Sequence, residues 1–159
     1  MNSHRTSIGF ATLADVVEIG ELSRKYIEHD LVWHYTPEKL ARLLKSEIKN
    51  VVVSRIGDQL VGFGIMTYSE EQANLDLLAV KPGYRNQGIG RQIVSWLEEV
   101  ALTAGIATVD VQVRKTNTGA ITFYKLLGYK ILDEKRGYYQ GREAGVMMSK
   151  DIRKITIAK

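Results

Sequence analysis

The 159-residue chain contains no cysteine. This excludes disulfide staples, thiolate catalysis and cysteine-based zinc sites, and it is compatible with a reducing compartment. No apolar stretch is long enough to span a bilayer, and the opening residues MNSHRTSIGF lack the apolar segment of a secretory leader. A cytoplasmic protein with no membrane partner is therefore expected. There is no long lysine and arginine block either. The net charge of +4 and the pI near 9.2 describe a scattered solvated surface, with attraction of a polyanionic ligand as the functional alternative. A nucleic-acid partner would need a basic stripe interleaved with aromatics or a recognised motif, and neither occurs. Linkers, internal repeats and low-complexity tracts are missing too, so one domain over residues 1–159 is expected, long enough to bury a sizeable core.

The elements that are present alternate between strand and helix patterns. Residues 7–10 suit a short first strand. Thr12-Leu13-Ala14-Asp15 has capping-box spacing, and Val16, Ile19, Leu22 and Tyr26 form a helix face behind it. Thr36-Pro37-Glu38 is a second helix start, with Thr36 as cap and Pro37 in the first turn. Between the two helices lie His29, Trp33, His34 and Tyr35. No third ligand is placed locally, so a structural or substrate-lining role is preferred to a metal site. Val51-Val52-Val53 reads as a buried strand, and residues 60–68 return antiparallel after Gly57-Asp58. Gly62 and Gly64 weaken that second strand unless another backbone or a ligand approaches closely.

The stretch over residues 75–91, LDLLAVKPGYRNQGIGR, organises the rest. Leu75, Leu77, Leu78, Ala79 and Val80 form an apolar strand that Pro82-Gly83 ends. Beyond the loop, Ile89, Ile93, Trp96, Leu97 and Val100 recur at helical spacing over 88–104, and Gly105 stops the helix. The helix start offers unpaired backbone N–H groups and a favourable dipole to an anion. Gly88 and Gly90 clear the approach to the backbone, and Arg85 and Arg91 supply positive charge. A P-loop would require Gly-Lys-Ser/Thr, and the dinucleotide fingerprint a third glycine where Ile93 stands; neither pattern is met. A phosphorylated cofactor remains the ligand this geometry suits. Further on, Val109, Val111 and Val113 alternate with Asp110, Gln112 and Arg114 as a strand. Asn117 or Thr118 caps a helix carrying Ala120, Ile121, Phe123, Tyr124 and Leu127, which Gly128 closes. Residues 129–132 and 144–149 suit a last antiparallel pair, and the tail at 151–159 suits a further strand or a frayed end.

Two blocks, Arg85-x-x-Gly88-x-Gly90 behind Ala79-Val80-x-Pro82, and Arg114-x-x-Asn117-x-x-Ala120-x-x-x-Tyr124-x-x-x-Gly128-Tyr129, resemble in order and spacing the two signatures of the GNAT superfamily, the acyl-CoA-dependent N-acyltransferases. The resemblance covers nearly the whole chain. It implies a mixed α/β fold, with a mostly antiparallel, partly splayed central sheet flanked by helices. It also implies acetyl-CoA as cofactor and an amine as acceptor. By resemblance, the backbone of Leu78, Ala79 and Val80 binds the acetyl carbonyl and the pantetheine arm. The loop of Arg85, Asn86, Gln87, Gly88, Ile89, Gly90 and Arg91 holds the pyrophosphate. Asn117 contacts the pantetheine or caps its helix, and Tyr124 protonates the departing sulfur. Many relatives carry a glutamate base where this chain has Gln112, which cannot accept a proton at neutral pH. Asp110 and Asp76 are the alternatives, directly or through water, with Glu70 and Glu71 more distant. The segment with Tyr138-Tyr139 resembles the branch that acetylates protein N-terminal amines, whose tyrosines grip the incoming peptide, although paired aromatics also cover sheet edges. Acetylation of a small-molecule amine and a non-catalytic acyl-CoA-binding regulator are the alternatives, in a monomer or a homodimer.

Overall fold

In the computed structural model of the chain, residues 5–135 and 144–153 are described. In chain order the elements are β1 (Thr6–Phe10), a 3-10 turn (Leu13–Asp15), α1 (Val16–Tyr26), α2 (Pro37–Leu43), β2 (Lys49–Ile56), β3 (Gln59–Tyr68), β4 (Gln72–Val80), α3 (Ile89–Thr103), β5 (Thr108–Arg114), α4 (Thr118–Leu126), β6 (Lys130–Lys135) and β7 (Gly145–Asp151). The seven strands hydrogen-bond in the order β1-β2-β3-β4-β5-β7-β6. The pairs β1/β2, β2/β3, β5/β7 and β6/β7 are antiparallel, and β4/β5 is parallel. This is the mixed α/β, mostly antiparallel sheet that the alternating patterns and the family resemblance anticipate. The chain forms two compact units, Met1–Thr67 with Leu77–Leu97, and Tyr68–Asp76 with Glu98–Lys159.

The first unit is built around the apolar faces of β2, β3 and the end of β4. Val51, Val53, Leu60, Phe63, Ile65, Leu77 and Ala79 are buried together with Val16, Ile19, Leu22, Leu40 and Leu43 from α1 and α2. Each large side chain so buried contributes roughly 1.5–3 kcal/mol, far more than any single surface contact there. The capping box forms as its spacing requires, at the 3-10 turn that leads into α1: the Thr12 backbone N–H donates to Asp15 Oδ2 at 2.9 Å. The Asp15 carboxylate also accepts from Arg55 of β2 at 2.5 Å, which fastens the helix start to the sheet. At the start of α2 the Lys39 N–H donates to Thr36 Oγ1 at 3.2 Å, with Pro37 in the first turn.

The two glycines in β3 have a packing reason. A Cβ at Gly62 would lie 3.0 Å from the Ala79 carbonyl oxygen and 3.2 Å from Ile93 Cδ1. One at Gly64 would lie 2.9 Å from Ile93 Cγ2 and 3.1 Å from Leu97 Cδ1. The missing side chains let α3 settle onto the strand through Ile93 and Leu97. The close approach expected of these glycines is therefore made by a helix and a strand of the chain itself.

In the second unit β5 is paired on both sides. Its antiparallel ladder to β7 runs from Thr108↔Asp151 to Arg114↔Gly145. Its parallel ladder to β4 covers Gln72↔Thr108 to Leu75↔Val111 and ends there, while β4 itself continues to Val80. Val109, Val111 and Val113 are buried, as the alternation predicts. Beyond β7 the chain makes a short 3-10 turn at Ile152 and Arg153. The rest of the tail and the Tyr138-Tyr139 segment lie outside the described residues.

Candidate active site

Along β4 the side chains alternate strictly: Ala73, Leu75, Leu77 and Ala79 are buried, whereas Asn74, Asp76, Leu78 and Val80 are half-buried. The strand ends as the Lys81 N–H donates to the Val61 carbonyl at 2.8 Å, and the loop over residues 81–88 leads to α3. Three of its residues have positive φ: Gly83 at 89°, Asn86 at 63° and Gly88 at 82°. Asparagine tolerates this region better than other side chains, and glycine adopts it freely. Nothing lies within 4 Å of where a Gly88 Cβ would be, so conformation, not crowding by the chain, demands glycine there.

The loop is braced from several sides. Arg85 Nε donates to the Val80 carbonyl at 3.0 Å, and its guanidinium sits over the Tyr26 ring at 5.7 Å. Tyr84 donates its hydroxyl to Gln59 Oε1 at 3.2 Å, and Lys81 pairs with Glu18 of α1 at 2.5 Å. Arg85 is thus a brace as well as a charge. The first turn of α3 holds no acidic side chain, and Arg91 in it is exposed. The first N–H groups of an α-helix have no intrahelical acceptor, and the dipole there favours an anion. Strand end, open glycine and uncontested helix start fit a pyrophosphate carried on a longer ligand.

The second unit carries the ionisable and hydroxyl candidates. On one face of β5 lie Asp110 and Gln112, and on the same side of β4 lie Gln72, Asn74 and Asp76. Asp110 is only 7% exposed and accepts from the Gln72 side-chain amide. Asp76 is half-buried and accepts from Asn74 Nδ2 at 2.7 Å. The two carboxylates are therefore held by different amides. Gln112 is half-buried, opposite Met147 of β7. Asn117 caps α4: its Oδ1 accepts from the Ala120 N–H at 3.1 Å. Tyr124, near the end of α4, is buried, with its ring edge-on to Phe123 at 5.0 Å and to Tyr129 at 5.4 Å. Glu70 and Glu71 are exposed.

Two buried carboxylates carry no signal in the sequence. Glu28 accepts from Ser23 Oγ and the His34 N–H, both at 2.6 Å, and from the Tyr35 N–H at 3.2 Å, and so ties down the connection after α1. His34 thus acts there through its backbone. His29 is exposed, 3.7 Å from Asp30. Among the described residues no group of three or more His, Cys, Asp or Glu could hold a metal ion. Glu98 of α3 accepts from the Tyr129 hydroxyl at 2.8 Å and from Lys150 Nζ at 3.0 Å. Burial, followed by the Glu98 carboxylate, pushes the Tyr129 hydroxyl far above its ordinary range, so it remains a donor.

The fold is that of N-acetyltransferases. A crystal structure of the ribosomal-protein-S18-alanine N-acetyltransferase from Escherichia coli matches with a TM-score of 0.80 and 25% identity, over 93% of this chain and 94% of that one. PaiA N-acetyltransferase from Thermoplasma acidophilum, solved in complex with coenzyme A, shares the fold with a TM-score of 0.81 and 21% identity, over 92% and 99% of the two chains. The model of the acetyltransferase (GNAT) family matches residues 16–129, and the chain belongs to that family. Among characterised relatives, the [ribosomal protein bS18]-alanine N-acetyltransferase of Escherichia coli K12 is 33% identical over 94 residues, 57% of this chain and 64% of the relative. The thialysine N-epsilon-acetyltransferase of Sus scrofa is 35% identical over 97 residues, 58% and 57% of the two chains. In both, the match spans less than two thirds of the relative's length.

Proposed function

We propose that the protein transfers the acetyl group of acetyl-CoA to the α-amine of a protein or peptide. The observation that carries this reading is the β4–loop–α3 passage, whose open glycine, positive-φ backbone and acid-free helix start suit a pyrophosphate. The loop from Arg85 to Arg91 holds the pyrophosphate, and the backbone of Leu78, Ala79 and Val80 receives the pantetheine arm and the acetyl carbonyl. Asn117 acts through its cap, which fixes the start of the helix carrying Tyr124. Tyr138 and Tyr139 grip the peptide backbone.

The neutral amine nitrogen attacks the thioester carbonyl carbon, the C–S bond breaks, and the amide forms. Tyr124 gives its hydroxyl proton to the departing sulfur and recovers one from solvent. The proton lost by the amine leaves through water, which Gln112 orients but cannot deprotonate. Asp76 is the better sink for it, being half-buried, while Asp110 is buried against Gln72. A site without a carboxylate at position 112 suits an acceptor that is already partly neutral. A peptide α-amine titrates near 8 and a lysine side chain near 10.4, a difference of roughly a hundredfold in neutral fraction at pH 7. The bS18-alanine relative supports the α-amine reading. The thialysine relative supports a second one, a small side-chain amine as acceptor.

The test is a panel of N-terminal peptides, lysine peptides, polyamines, thialysine and aminoglycosides, with thioester consumption measured beside coenzyme A affinity. Turnover with an amine is expected. Coenzyme A binding without turnover on any amine would instead make the protein an acyl-CoA-binding regulator.

A further inference from the structure

The signature Tyr124-x-x-x-Gly128-Tyr129 has a physical reading that its catalytic interpretation leaves aside. Gly128, at φ 100°, donates its N–H to the Lys125 carbonyl at 3.0 Å, and the Tyr129 N–H donates to the Tyr124 carbonyl at 2.9 Å. These are the two hydrogen bonds of a Schellman motif, in which the residue after the left-handed position commonly packs on the one five places before it. Here those two residues are Tyr129 and Tyr124, and their rings meet edge to face at 5.4 Å and 71°. Tyr124 is thus held by Tyr129 twice, once at its backbone carbonyl and once at its ring.

Tyr129 is itself anchored from two other elements. It is 2% exposed, and its hydroxyl donates to Glu98 Oε2 of α3 at 2.8 Å. The other oxygen of Glu98 accepts from Lys150 Nζ of β7 at 3.0 Å, so the carboxylate is engaged at both ends. Lys150 also closes over the turn: a Cβ at Gly128 would come within 3.4 Å of its Cε. The chain therefore places a buried, charge-assisted network behind one tyrosine ring, which itself packs edge-on against Phe123 and Tyr129. A core that needed only packing would be served by phenylalanine at position 129 with an apolar partner at position 98, without two charges taken out of water.

We propose that Tyr129, fixed by Glu98 and Lys150, is a positioning residue that holds the Tyr124 hydroxyl where it can donate its proton. This rests on the role given to Tyr124 above. Tyr129 acts through Tyr124 and touches no substrate in the proposed reaction. Removing its hydroxyl frees the ring to shift against Tyr124, and displacements of about 1 Å at a donor can cost up to roughly a hundredfold.

The experiment is a double-mutant cycle on the full chain, with kcat and the KM for acetyl-CoA measured for wild type, Tyr129→Phe, Tyr124→Phe and the pair. Tyr129→Phe keeps the ring and the Schellman hydrogen bonds. It is expected to lower kcat about tenfold with KM changed by less than about twofold. In the Tyr124→Phe background it is expected to have no further effect on kcat, because no hydroxyl remains to be placed. Glu98→Gln repeats the cycle with the anchor weakened at its other end, and it serves if Tyr129→Phe does not fold. An equal loss in both backgrounds, or no loss at all, overturns the positioning role while leaving Tyr124 as the acid. An unchanged kcat in Tyr124→Phe alone removes the acid itself, and the positioning role falls with it.

Discussion

The side-chain amide of Gln72 donates to the carboxylate of Asp110, across the parallel pairing of β4 with β5. Asp110 thereby serves the sheet: it is buried, and one of its oxygens already holds an amide. Asp76, two residues beyond Asn74 on the same strand, keeps a half-buried carboxylate. Asp110→Ala is expected to destabilise the protein by about 1–3 kcal/mol, the range for stripping a partner from a buried polar contact. Asp110→Asn, which retains an acceptor for Gln72, is expected to leave turnover within about threefold of wild type, whereas Asp76→Asn lowers it about tenfold or more. Urea unfolding and steady-state rates on these variants check both statements. A larger kinetic loss in Asp110→Asn than in Asp76→Asn would reverse the assignment.

The pair Asp15–Arg55 gives a pH dependence with a definite sign. Burial raises the Asp15 pKa, but the Arg55 guanidinium and the Thr12 N–H lower it by more, so it lies below the usual carboxylate value. A carboxylate depressed in the folded state contributes stability that is present above its unfolded pKa, near 4, and is lost as pH falls through the folded value. The denaturation midpoint of wild type should therefore drop more steeply between about pH 5 and 3 than that of Asp15→Asn. Parallel midpoint curves would show that Asp15 is not linked to folding in that range.

Gly88 has φ 82° and open space where a side chain would stand. Gly88→Ala forces a Cβ into a left-handed conformation, at a cost of roughly 1–2 kcal/mol, and occupies the approach to the α3 start. Gly90→Val tests the same approach two residues further on, inside the first turn of α3. Coenzyme A affinity, measured by calorimetry on the folded variants, is expected to fall about tenfold or more; each 1.4 kcal/mol of lost binding is one factor of ten. Unchanged affinity in both variants would move the pyrophosphate elsewhere.

The strand, loop and helix of this passage were legible because they are local. The apolar run from Leu75 to Val80, Pro82-Gly83 and the spacing of Ile89, Ile93 and Leu97 each act within a few residues; the strict alternation of burial along β4 emerges only in the fold. The Thr36 and Asn117 caps were legible for the same reason. The Glu98–Tyr129–Lys150 cluster was not. Its members lie 31 and 52 residues apart, and Glu98 sits on an amphipathic helix where a glutamate ordinarily faces water. Glu28 is hidden likewise, because two of the donors to its carboxylate are backbone N–H groups, of His34 and Tyr35, that carry no side-chain signal. For Asp110, alternation places the carboxylate on the polar face of β5 but does not reveal that Gln72 covers it. Gly62 and Gly64 announced a close approach, and only the fold shows that Ile93 and Leu97 of α3 make it.

The central claim is acetyl transfer to an α-amine by a site that lacks a carboxylate at position 112. The most direct measurement uses two peptides of one sequence at saturating acetyl-CoA. One presents a free α-amine with its lysine blocked, and the other presents a free lysine with its N-terminus blocked. Initial rates are followed from pH 6 to 9 for wild type and Gln112→Glu. The account predicts that the α-amine peptide is faster at pH 7 in wild type, by roughly the hundredfold difference in neutral fraction. It also predicts that the wild-type rate rises with acceptor deprotonation, and that Gln112→Glu narrows the gap. A wild-type preference for the lysine ε-amine at neutral pH would contradict it.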